Sequence, residues 1–304
     1  MPLHYELSEL RLLLILMRTR SLSASGEAAH LTTSAVSLRL RKLEDGIGAQ
    51  LFTRTGKGLV PTEAGTALAE AAVPILAEAA ALDARLNPFS KHDPEPLRIF
   101  SNSTGLQNFL CRIAADYLRE NSSFRAVLTE HRSSLTPEAV LTGEADLGLI
   151  GGVRELSPAF RTKLELVPFV EDRHVVILPR DSRAAQQFKN RPILFAELLN
   201  LRFAALTDAS PMTAAMKERA LAAGFRFEPI IEAPSFSLLV ELVARGPLAA
   251  VVPASAVPPN APVEVRELED SWAARPLAFV LPKARPALSS AIDFVEFALR
   301  TQKR

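Results

Sequence analysis

The sequence predicts a mainly α-helical winged helix-turn-helix at the N-terminus, then a long linker helix, then an α/β body of two lobes. Two short helical patterns separated by a tight turn lie near the start of the chain and are typical of a helix-turn-helix. An Ala-rich helical pattern covers residues 62–87. From residue 97 onward, short β-branched runs alternate with helical patterns, which favours α/β architecture with largely parallel sheets.

The composition is that of an ordinary globular protein. The 304 residues are 48% hydrophobic and 23% charged, which excludes a disordered, collagen-like or purely coiled-coil chain and suggests about two domains. No apolar run approaches the roughly 18 residues of a membrane span, and no signal-peptide pattern is seen, so we expect a cytoplasmic protein without a membrane partner. The single cysteine, Cys111, excludes an internal disulfide and a Cys-based zinc site. Its apolar helical surroundings predict a buried, inert thiol.

The net charge of +1 conceals a strong local imbalance. Residues 11–60 contain eight bases and three acids, whereas residues 61–88 contain one base and four acids. A basic head is therefore followed by an acidic segment. Such an excess is often only a solvated surface, and it indicates nucleic-acid binding when the fold presents the bases together.

The first two helices are short and amphipathic. The first has apolar residues at steps of three and four, namely Leu7, Leu10, Leu13, Leu14 and Met17. Ser23 is predicted to cap a second helix that ends at Ala29, because its hydroxyl can accept a hydrogen bond from the first turn. Residues 30–32 then form the break between the two helices of the motif.

The third helix carries the bases of the head. Thr33 or Ser34 is predicted to cap it. Its apolar face consists of Val36, Leu40 and Leu43, and polar or basic residues occupy the rest of its surface. Base edges in the major groove are distinguished by their hydrogen-bond pattern, so a reading helix needs small polar or forked side chains with positive charge nearby.

A β-hairpin and a long helix follow. Gly56 and Gly58 flank Lys57 at the tip of a small β-wing. The helix over residues 62–87 is predicted to begin after Thr62 and to stop at Asn87-Pro88. A seven-residue repeat on it predicts a helix–helix seam, and hence a homodimer, through Leu68, Ile75 and Leu82. Pro74 is expected to bend or loosen this helix.

The body begins after the Pro-bearing stretch of residues 91–96. Strands are predicted at residues 97–101, 126–130, 146–150, 175–178, 202–205, 249–252 and 277–280. Helices are predicted at residues 106–119, 137–141, 213–222, 236–244 and 291–299. Residues 141–150 and 243–252 echo each other as helix end, glycine turn and buried strand, which predicts two similar half-domains.

Catalytic chemistry finds little support in the sequence. Phosphate-binding, nucleophile-elbow, dinucleotide-binding and zinc-protease motifs are all missing. The five histidines are scattered, with no pair at helical spacing to grip a metal. We therefore predict no catalytic residue, no metal, no cofactor and no enzymatic activity.

The basic head is predicted to bind double-stranded DNA. Arg39 is the preferred base or phosphate contact, the hydroxyl residues suit phosphates or base edges, and the wing suits phosphates or the minor groove. The predicted DNA-binding residues are Thr32, Thr33, Ser34, Ser37, Arg39, Arg41, Lys42, Arg54 and Lys57. A winged domain that binds another protein is the alternative.

The stretches 21–44 and 48–65 closely resemble the winged helix-turn-helix of LysR-type transcriptional regulators, and residues 97–100, 143–150 and 171–179 resemble segments of that family's effector domain. The resemblance implies a DNA-binding head, a dimerising linker helix and a two-lobed effector domain like the periplasmic binding proteins. The domains are then residues 1–61, 62–96 and 97–304. It also implies a homodimer or homotetramer that works with RNA polymerase. Thr33 stands where many members have Gln, so no operator sequence is transferred.

The resemblance also places a small, carboxylate-bearing effector between the lobes. Residues 101–104 lie where a strand gives way to a helix, and unpaired N–H groups with hydroxyls suit an anion there, although simple helix capping explains one of them. The positions that match the family's effector site are Ser101, Asn102, Ser103, Thr104, Ser133, Ser134, Gly151, Thr207, Asp208, Ser210, Ser235 and Phe236. Asp208 suits an anion poorly; it either caps the following helix or selects an amine or hydroxyl.

Two other hypotheses remain open from the sequence. One is a cytoplasmic α/β protein that binds or converts a small molecule and carries an accessory N-terminal module. The other is a DNA-binding protein without an effector, whose lobes serve assembly only.

Overall fold

The computed structural model describes residues 5–56, 58–86, 89, 95–153, 156–189, 191–207, 210–283 and 287–302. The head consists of α1 (Leu7–Thr19), α2 (Leu22–Ala29), α3 (Thr33–Ile47), β1 (Phe52–Thr55) and β2 (Gly58–Pro61), followed by the linker helix α4 (Glu63–Leu86). The first half of the body contains β3 (Leu97–Ser101), α5 (Ser103–Gly105), α6 (Cys111–Glu120), β4 (Ala126–Glu130), α7 (Thr136–Leu141), β5 (Leu147–Gly151), α8 (Pro158–Lys163) and β6 (Leu164–Glu171). The second half contains β7 (His174–Pro179), α9 (Arg183–Gln187), β8 (Ala204–Leu206), α10 (Pro211–Ala222), β9 (Ile231–Ala233), α11 (Phe236–Arg245), β10 (Ala250–Pro253), β11 (Val263–Glu267), β12 (Pro276–Pro282) and α12 (Ser289–Gln302).

One apolar core holds the head together. The predicted apolar faces of α1 and α3 are buried in it, with the wing and the first half of α4 packed against them. Leu51, which precedes β1, and Leu59, which lies in β2, are buried in the same core. The wing is a two-stranded antiparallel hairpin in which Phe52 pairs with Pro61. The predicted winged helix-turn-helix is therefore a single packed unit.

The helix caps differ from the prediction by one or two residues. Ser21, not Ser23, caps α2 by accepting a hydrogen bond from the Ala24 N–H. Thr32, not Thr33 or Ser34, caps α3 by accepting one from the Ala35 N–H at 3.2 Å. Each cap is the hydroxyl residue whose extended backbone precedes the first helical turn. The sequence offers several adjacent hydroxyls, and only the tertiary path selects among them.

The linker helix α4 begins after Thr62, whose hydroxyl accepts a hydrogen bond from the Gly65 N–H at 3.0 Å. It continues unbroken through Pro74. Its buried stripe consists of Ala69, Ala72, Leu76 and Ala80. Of the predicted seam, Ile75 and Leu82 are 39% and 55% exposed, whereas Leu68 is partly buried against the core of the head. The part of the seam at Ile75 and Leu82 is therefore available to a partner helix.

Residues 63–83 of α4 are long and apolar enough to cross a membrane, by length and composition alone. The sequence prediction had found no such segment. Ala72 and Leu76 are fully buried against the head, and acidic residues lie along the helix at Glu63, Glu70, Glu78 and Asp83. These contacts are those of a helix packed on its own protein.

The body divides into two lobes joined by two crossing segments. Lobe one comprises residues 97–171 and 276–302, and its five-stranded sheet has the order β4-β3-β5-β12-β6. Lobe two comprises residues 174–267, with the sheets β10-β7-β11 and β8-β9 linked by an isolated bridge between Phe203 and Ala249. Residues 172–173 and 268–275 cross between the lobes, and we call these two segments the hinge.

The expectation of largely parallel sheets is wrong. β3 is parallel to β4 and β5, but β12 is antiparallel to both of its neighbours, β5 and β6. In lobe two, β7 is antiparallel to β10 and β11, whereas β8 and β9 are parallel. The cause is the chain path: β12 returns to lobe one from the other lobe and enters the sheet in the opposite direction.

Two further predictions for the body need correction. Cys111 is exposed, not buried, because it lies at the start of α6 on the side away from the buried Ile113 and Tyr117. The single helix predicted over residues 106–119 contains a π-helical segment, Leu106–Leu110, between α5 and α6. β6, β9 and β11 were not predicted.

The head and lobe one meet at the linker helix. Gly143, with φ +73°, lies so close to α4 that an added Cβ would fall 2.6 Å from Cβ of Ala80. Beside it, Arg18 Nη1 of α1 lies 3.4 Å from Glu144 Oε2. The turn between α7 and β5 thus contacts both the linker helix and the head.

The tight approach of α4 to the wing gives a stability prediction. A Cβ added at Gly65 would fall 2.1 Å from the Leu51 carbonyl oxygen, which accepts a hydrogen bond from the Thr62 N–H. We expect Gly65→Ala to lower the free energy of unfolding by about 1–3 kcal/mol through overpacking, measured by urea denaturation. Gly56→Ala is the matched control, since an added Cβ there meets nothing within 4 Å. Equal stability of the two variants would contradict the packing shown for Gly65.

Candidate nucleic-acid interface and inter-lobe cleft

The buried face of α3 determines which of its residues face outward. Val36, Leu40 and Leu43 are buried, so residues half a turn away point to solvent. At about 100° per residue, Ser34, Leu38, Arg41 and the exposed Asp45 lie on this outward face. Leu38 is 68% exposed, an unusual position for a leucine. Sequence reasoning missed it because the search was limited to polar and charged side chains.

The wing is fixed to α3 by side-chain hydrogen bonds. Glu44 Oε1 accepts hydrogen bonds from the N–H groups of Leu51, at 2.8 Å, and Phe52, at 3.3 Å. Arg54 Nη2 on β1 donates to Ser37 Oγ at 3.2 Å. The wing guanidinium is therefore placed beside the outward face of α3. Lys57 lies outside the described residues.

The predicted basic residues have different surroundings. Arg39 and Arg41 are exposed, and neither forms an ion pair within the described part of the chain. Arg41 is on the outward face, whereas Arg39 lies on the flank. Lys42 Nζ lies 3.6 Å from the buried Glu9 carboxylate, so its charge is partly engaged in holding α3 to α1.

The hydroxyl residues cluster at the start of α3. Thr32 uses its hydroxyl as the helix cap and also lies 3.0 Å from Ser34 Oγ. Thr33 and Ser34 are exposed, and Ser37 is half-buried against the wing. The outward surface thus combines hydroxyls at the N-terminal end, one apolar side chain in the middle, and a guanidinium one turn later.

In lobe one, the residues predicted for the effector site are only partly available. Ser101 is fully buried, and its hydroxyl donates to the Leu149 carbonyl at 2.7 Å. Ser101 therefore joins β3 to β5 and does not offer its hydroxyl to a ligand, which corrects the prediction for this residue. Thr104 is also buried.

Asn102 organises the adjoining helix start. Its Oδ1 caps α5 by accepting from the Gly105 N–H at 2.8 Å, and its Nδ2 donates to Ser133 Oγ at 3.0 Å. The structure thus brings Asn102 and Ser133 together. Ser103 is half-buried, and Ser134 is exposed.

In lobe two, the predicted hydroxyls are helix caps. Ser210 accepts from the Met212 N–H, and Ser235 accepts from the Leu238 N–H while lying 3.0 Å from Ser237 Oγ. Thr207 is exposed and Phe236 is half-buried. Asp208 lies outside the described residues. Capping accounts for Ser210 and Ser235 without a ligand.

The lobes are joined by a different set of polar residues, which sequence reasoning missed. Asn108 Nδ2 of lobe one donates to Ser255 Oγ of lobe two at 2.9 Å. Ser255 in turn donates through its N–H and Oγ to the two carboxylate oxygens of Asp172 in the hinge, at 3.1 and 2.9 Å. No spacing motif marks these residues, because they meet only where the chain crosses between the lobes.

Three more side chains gather at the hinge. Arg275, Trp272 and His174 have buried nitrogen atoms without a hydrogen-bond partner among the described residues. The Arg275 guanidinium lies against Gly151, where an added Cβ would fall 2.8 Å from Nε. The rings of His174 and Trp272 are 5.9 Å apart, and Arg219 lies over the Trp272 ring at 4.9 Å.

Burial lowers the pKa of His174 to about 4, and the positive charges of Arg275 and Arg219 act in the same direction. The imidazole is therefore neutral at pH 7. Within the described residues, no group of three or more His, Cys, Asp or Glu side chains is arranged to hold a metal ion.

Two family models match the chain. The model described as "Bacterial regulatory helix-turn-helix protein, lysR family" matches residues 7–66. The model described as "LysR substrate binding domain" matches residues 90–303.

Among individual proteins, the chain is 29% identical over 184 residues to the uncharacterized HTH-type transcriptional regulator YeiE of Escherichia coli K12, and this match spans 60% of each protein. It is 30% identical to the RuBisCO operon transcriptional regulator of Allochromatium vinosum over 71% of this chain and 68% of that protein. A full-length OxyR variant from Pseudomonas aeruginosa has a similar fold, with a TM-score of 0.60, 21% identity, and coverage of 98% of this chain and 95% of that one.

The pKa of His174 gives a pH prediction. A neutral histidine in the folded state, with a pKa of about 4 against about 6.5 when unfolded, contributes stability above pH 6.5 that is lost as the pH falls towards 4. We expect the wild type to lose about 2 kcal/mol more than His174→Gln between pH 7 and pH 5, measured by urea denaturation. The glutamine variant is the control, since it binds no proton. The same loss in both proteins would rule out a buried neutral His174.

Proposed function

The chain belongs to the LysR family of bacterial helix-turn-helix regulators, and from this premise we propose that it is a sequence-specific DNA-binding transcriptional regulator controlled by a small, carboxylate-bearing effector. Residues 1–61 bind DNA, residues 62–96 form the dimerising linker helix and its connection to the body, and residues 97–304 bind the effector. The protein acts in the cytoplasm, without enzymatic activity, and works with RNA polymerase.

The outward face of α3 is the observation that carries the DNA-binding proposal. A helix with hydroxyls at its N-terminal end, exposed guanidinium groups and an adjoining wing suits insertion into the major groove. Arg54 is hydrogen-bonded to Ser37, so the wing and helix approach DNA as one surface. Arg39 and Arg41 form no ion pair with any described residue, so their charge remains available for phosphates.

The cleft between the lobes is the proposed effector site. Asn102 and Ser133 form a hydrogen-bonded pair on one side, and Thr207, Ser235 and Phe236 are the candidates on the other. The hinge, which includes Asp172, crosses between the lobes. A ligand that contacts both lobes favours one lobe arrangement over the other by its differential affinity.

The contact between lobe one and the linker helix supports the proposal that a change in lobe position reaches the head. The turn at Gly143 and Glu144 packs against Ala80 of α4 and lies beside Arg18 of α1. A change in the position of lobe one therefore acts directly on the linker helix. The spacing of the two heads on a dyad-symmetric site depends on that helix.

Exposed apolar surfaces support a homodimer or homotetramer. Ile75 and Leu82 are exposed on α4. In lobe one, Leu118, Val127 and Leu128 are exposed on α6 and the edge strand β4. In lobe two, Ile230, Ile231 and Leu238 are exposed near β9 and α11. Surfaces of this kind on a regular element are typical of subunit interfaces.

The salt dependence of DNA affinity tests the proposal. The DNA is a fragment that the full-length protein selects from a random pool, and affinity is measured at several salt concentrations. Affinity is expected to fall steeply with salt, because each neutralised phosphate contributes a slope of about −0.9. Arg41→Ala is expected to reduce the slope by about 1 per subunit. Arg226→Ala, an exposed arginine in lobe two, is the matched control. A flat salt response, or equal slopes for the two variants, would reject the proposed surface.

The exposed Leu38 predicts a contact with thymine. Apolar side chains in the major groove read the thymine 5-methyl group, and Leu38 is central on the outward face. Replacing the contacted thymine by uracil is expected to weaken wild-type binding about fourfold, the value of one buried methyl at about 0.8 kcal/mol. Leu38→Ala is expected to bind both fragments equally. If no thymine-to-uracil change separates the two proteins, Leu38 does not contact a base.

A further inference from the structure

The hinge contains a buried guanidinium that forms no direct ion pair with a described residue. Arg275 Nε and Nη2 are buried and have no hydrogen-bond partner among the described residues. Buried polar groups in folded proteins are almost always paired, and an unpaired charge is more costly still. The residue as a whole is only half-buried, so part of it reaches solvent although these two nitrogens do not.

The nearest acid does not pair with this guanidinium. Asp172 is the acid that attracts Arg275, but both of its carboxylate oxygens accept hydrogen bonds from Ser255. Burial lowers the pKa of Arg275, and the attraction of Asp172 is the smaller influence. Within the described residues, no carboxylate is therefore bonded to this guanidinium, and an anion from outside the chain is a suitable partner.

The neighbouring groups favour an anion. Trp272 Nε1 is a second buried donor without a partner in the described chain. The neutral imidazole of His174 has a single N–H and a backbone hydrogen bond with Trp272, so it adds no free donor. Arg219 adds positive charge over the Trp272 ring. Among the described residues, Asp172 is the charged group that acts on Arg275, and Arg219 acts with Arg275 on the neighbouring His174. A carboxylate or phosphate accepts hydrogen bonds from a guanidinium in a bidentate manner, which matches the two free nitrogens.

The position of Arg275 connects it to the proposed effector cleft. Its Nε lies against Gly151, at the end of β5. Gly151 is two residues beyond Leu149, whose carbonyl accepts from Ser101, so it is about 7 Å further along the strand. Asn102 and the start of α5 follow Ser101 directly. A small molecule with two polar ends is long enough to reach both points.

We propose that Arg275, assisted by Trp272, binds the acid group of the effector at the hinge. The inference rests on the proposed control by a small molecule and names the residue that recognises it. Arg275 and Trp272 are in the hinge, His174 opens lobe two, and Gly151 ends a strand of lobe one. An anion at this point contacts both lobes and the segment between them, which is where a ligand controls their relative position.

The stability of two arginine variants separates a ligand-binding role from a structural one. Replacing an uncompensated buried cation by an apolar residue of similar size is stabilising or neutral. We therefore expect Arg275→Met to leave Tm in chloride unchanged or raise it. The matched control is Arg98→Met: the Arg98 guanidinium donates to Asp146 at 2.7 and 3.1 Å, so this change leaves a buried carboxylate with only the backbone N–H of residue 98 and lowers Tm. A structural Arg275 would behave like Arg98.

The anion itself is tested on the full-length protein with succinate and with inorganic phosphate, each against chloride at equal ionic strength. Trp272 is the single tryptophan of the chain, so its fluorescence reports on this site directly. At least one acid is expected to give a saturable change in emission and to raise the Tm of the wild type by about 5 °C. A response to succinate alone indicates a carboxylate site, and a response to phosphate alone indicates a phosphate site. Arg275→Met should abolish both responses, Arg275→Lys should weaken them, and Arg98→Met should retain them.

Three results would overturn the inference. They are a wild type that responds to neither acid, an Arg275→Met variant that responds like the wild type, and an Arg275→Met variant whose Tm in chloride falls as far as that of Arg98→Met. DNA binding is measured separately in the salt series. Failure at Arg275 therefore leaves the DNA-binding proposal standing, and loss of salt dependence leaves the anion test unaffected.

Discussion

The burial of one face of α3 against α1 is the interaction on which the rest of the molecule depends. Val36, Leu40 and Leu43 lie in the core that α1 also lines, and this fixes the rotation of α3 about its own axis. The outward residues are therefore determined by apolar packing on the opposite side. The position of Glu44 depends on the same rotation of α3. Its carboxylate accepts hydrogen bonds from the backbone of the wing only when the apolar face of α3 is buried. The burial of the apolar face of α3 therefore determines both which residues of α3 face outward and where the wing lies.

The same core connects the head to the body. Ala72 and Leu76 bury the first part of α4 against the head, and the buried stripe continues to Ala80, which meets Gly143 of lobe one. The small side chain of alanine and the bare backbone of glycine permit this close approach. In the proposed mechanism this helix, with one end in the core of the head and the other against a lobe, transmits displacement, because packed interfaces shift between discrete arrangements more readily than they deform.

Local pattern predicted much of this fold, and the long-range path of the chain explains what it missed. Helical periodicity located α1, α3 and α4 because their apolar residues recur within a few positions. The direction of β12 was not predictable in this way, since it depends on the chain leaving lobe one and returning to it. Exposure of Cys111 depends on which side of α6 the sheet covers. Leu38 escaped notice for a different reason: its chemistry is apolar, and only its position indicates a role.

In the candidate effector site, too, the sequence pattern predicted some features, and the chain path determines the others. Hydroxyl residues at strand ends are visible in the sequence, yet Ser101 bonds within the sheet, and Ser210 and Ser235 cap helices. These hydroxyls already have partners, so each one gives little indication of a ligand. Arg275 gives more, because a buried guanidinium without a hydrogen-bond partner lowers the stability of the fold, and the attraction of Asp172 offsets only part of that cost. A protein that retains such a group gains from it only when an anion is bound, so the unsatisfied group is the stronger indication of where the ligand lies.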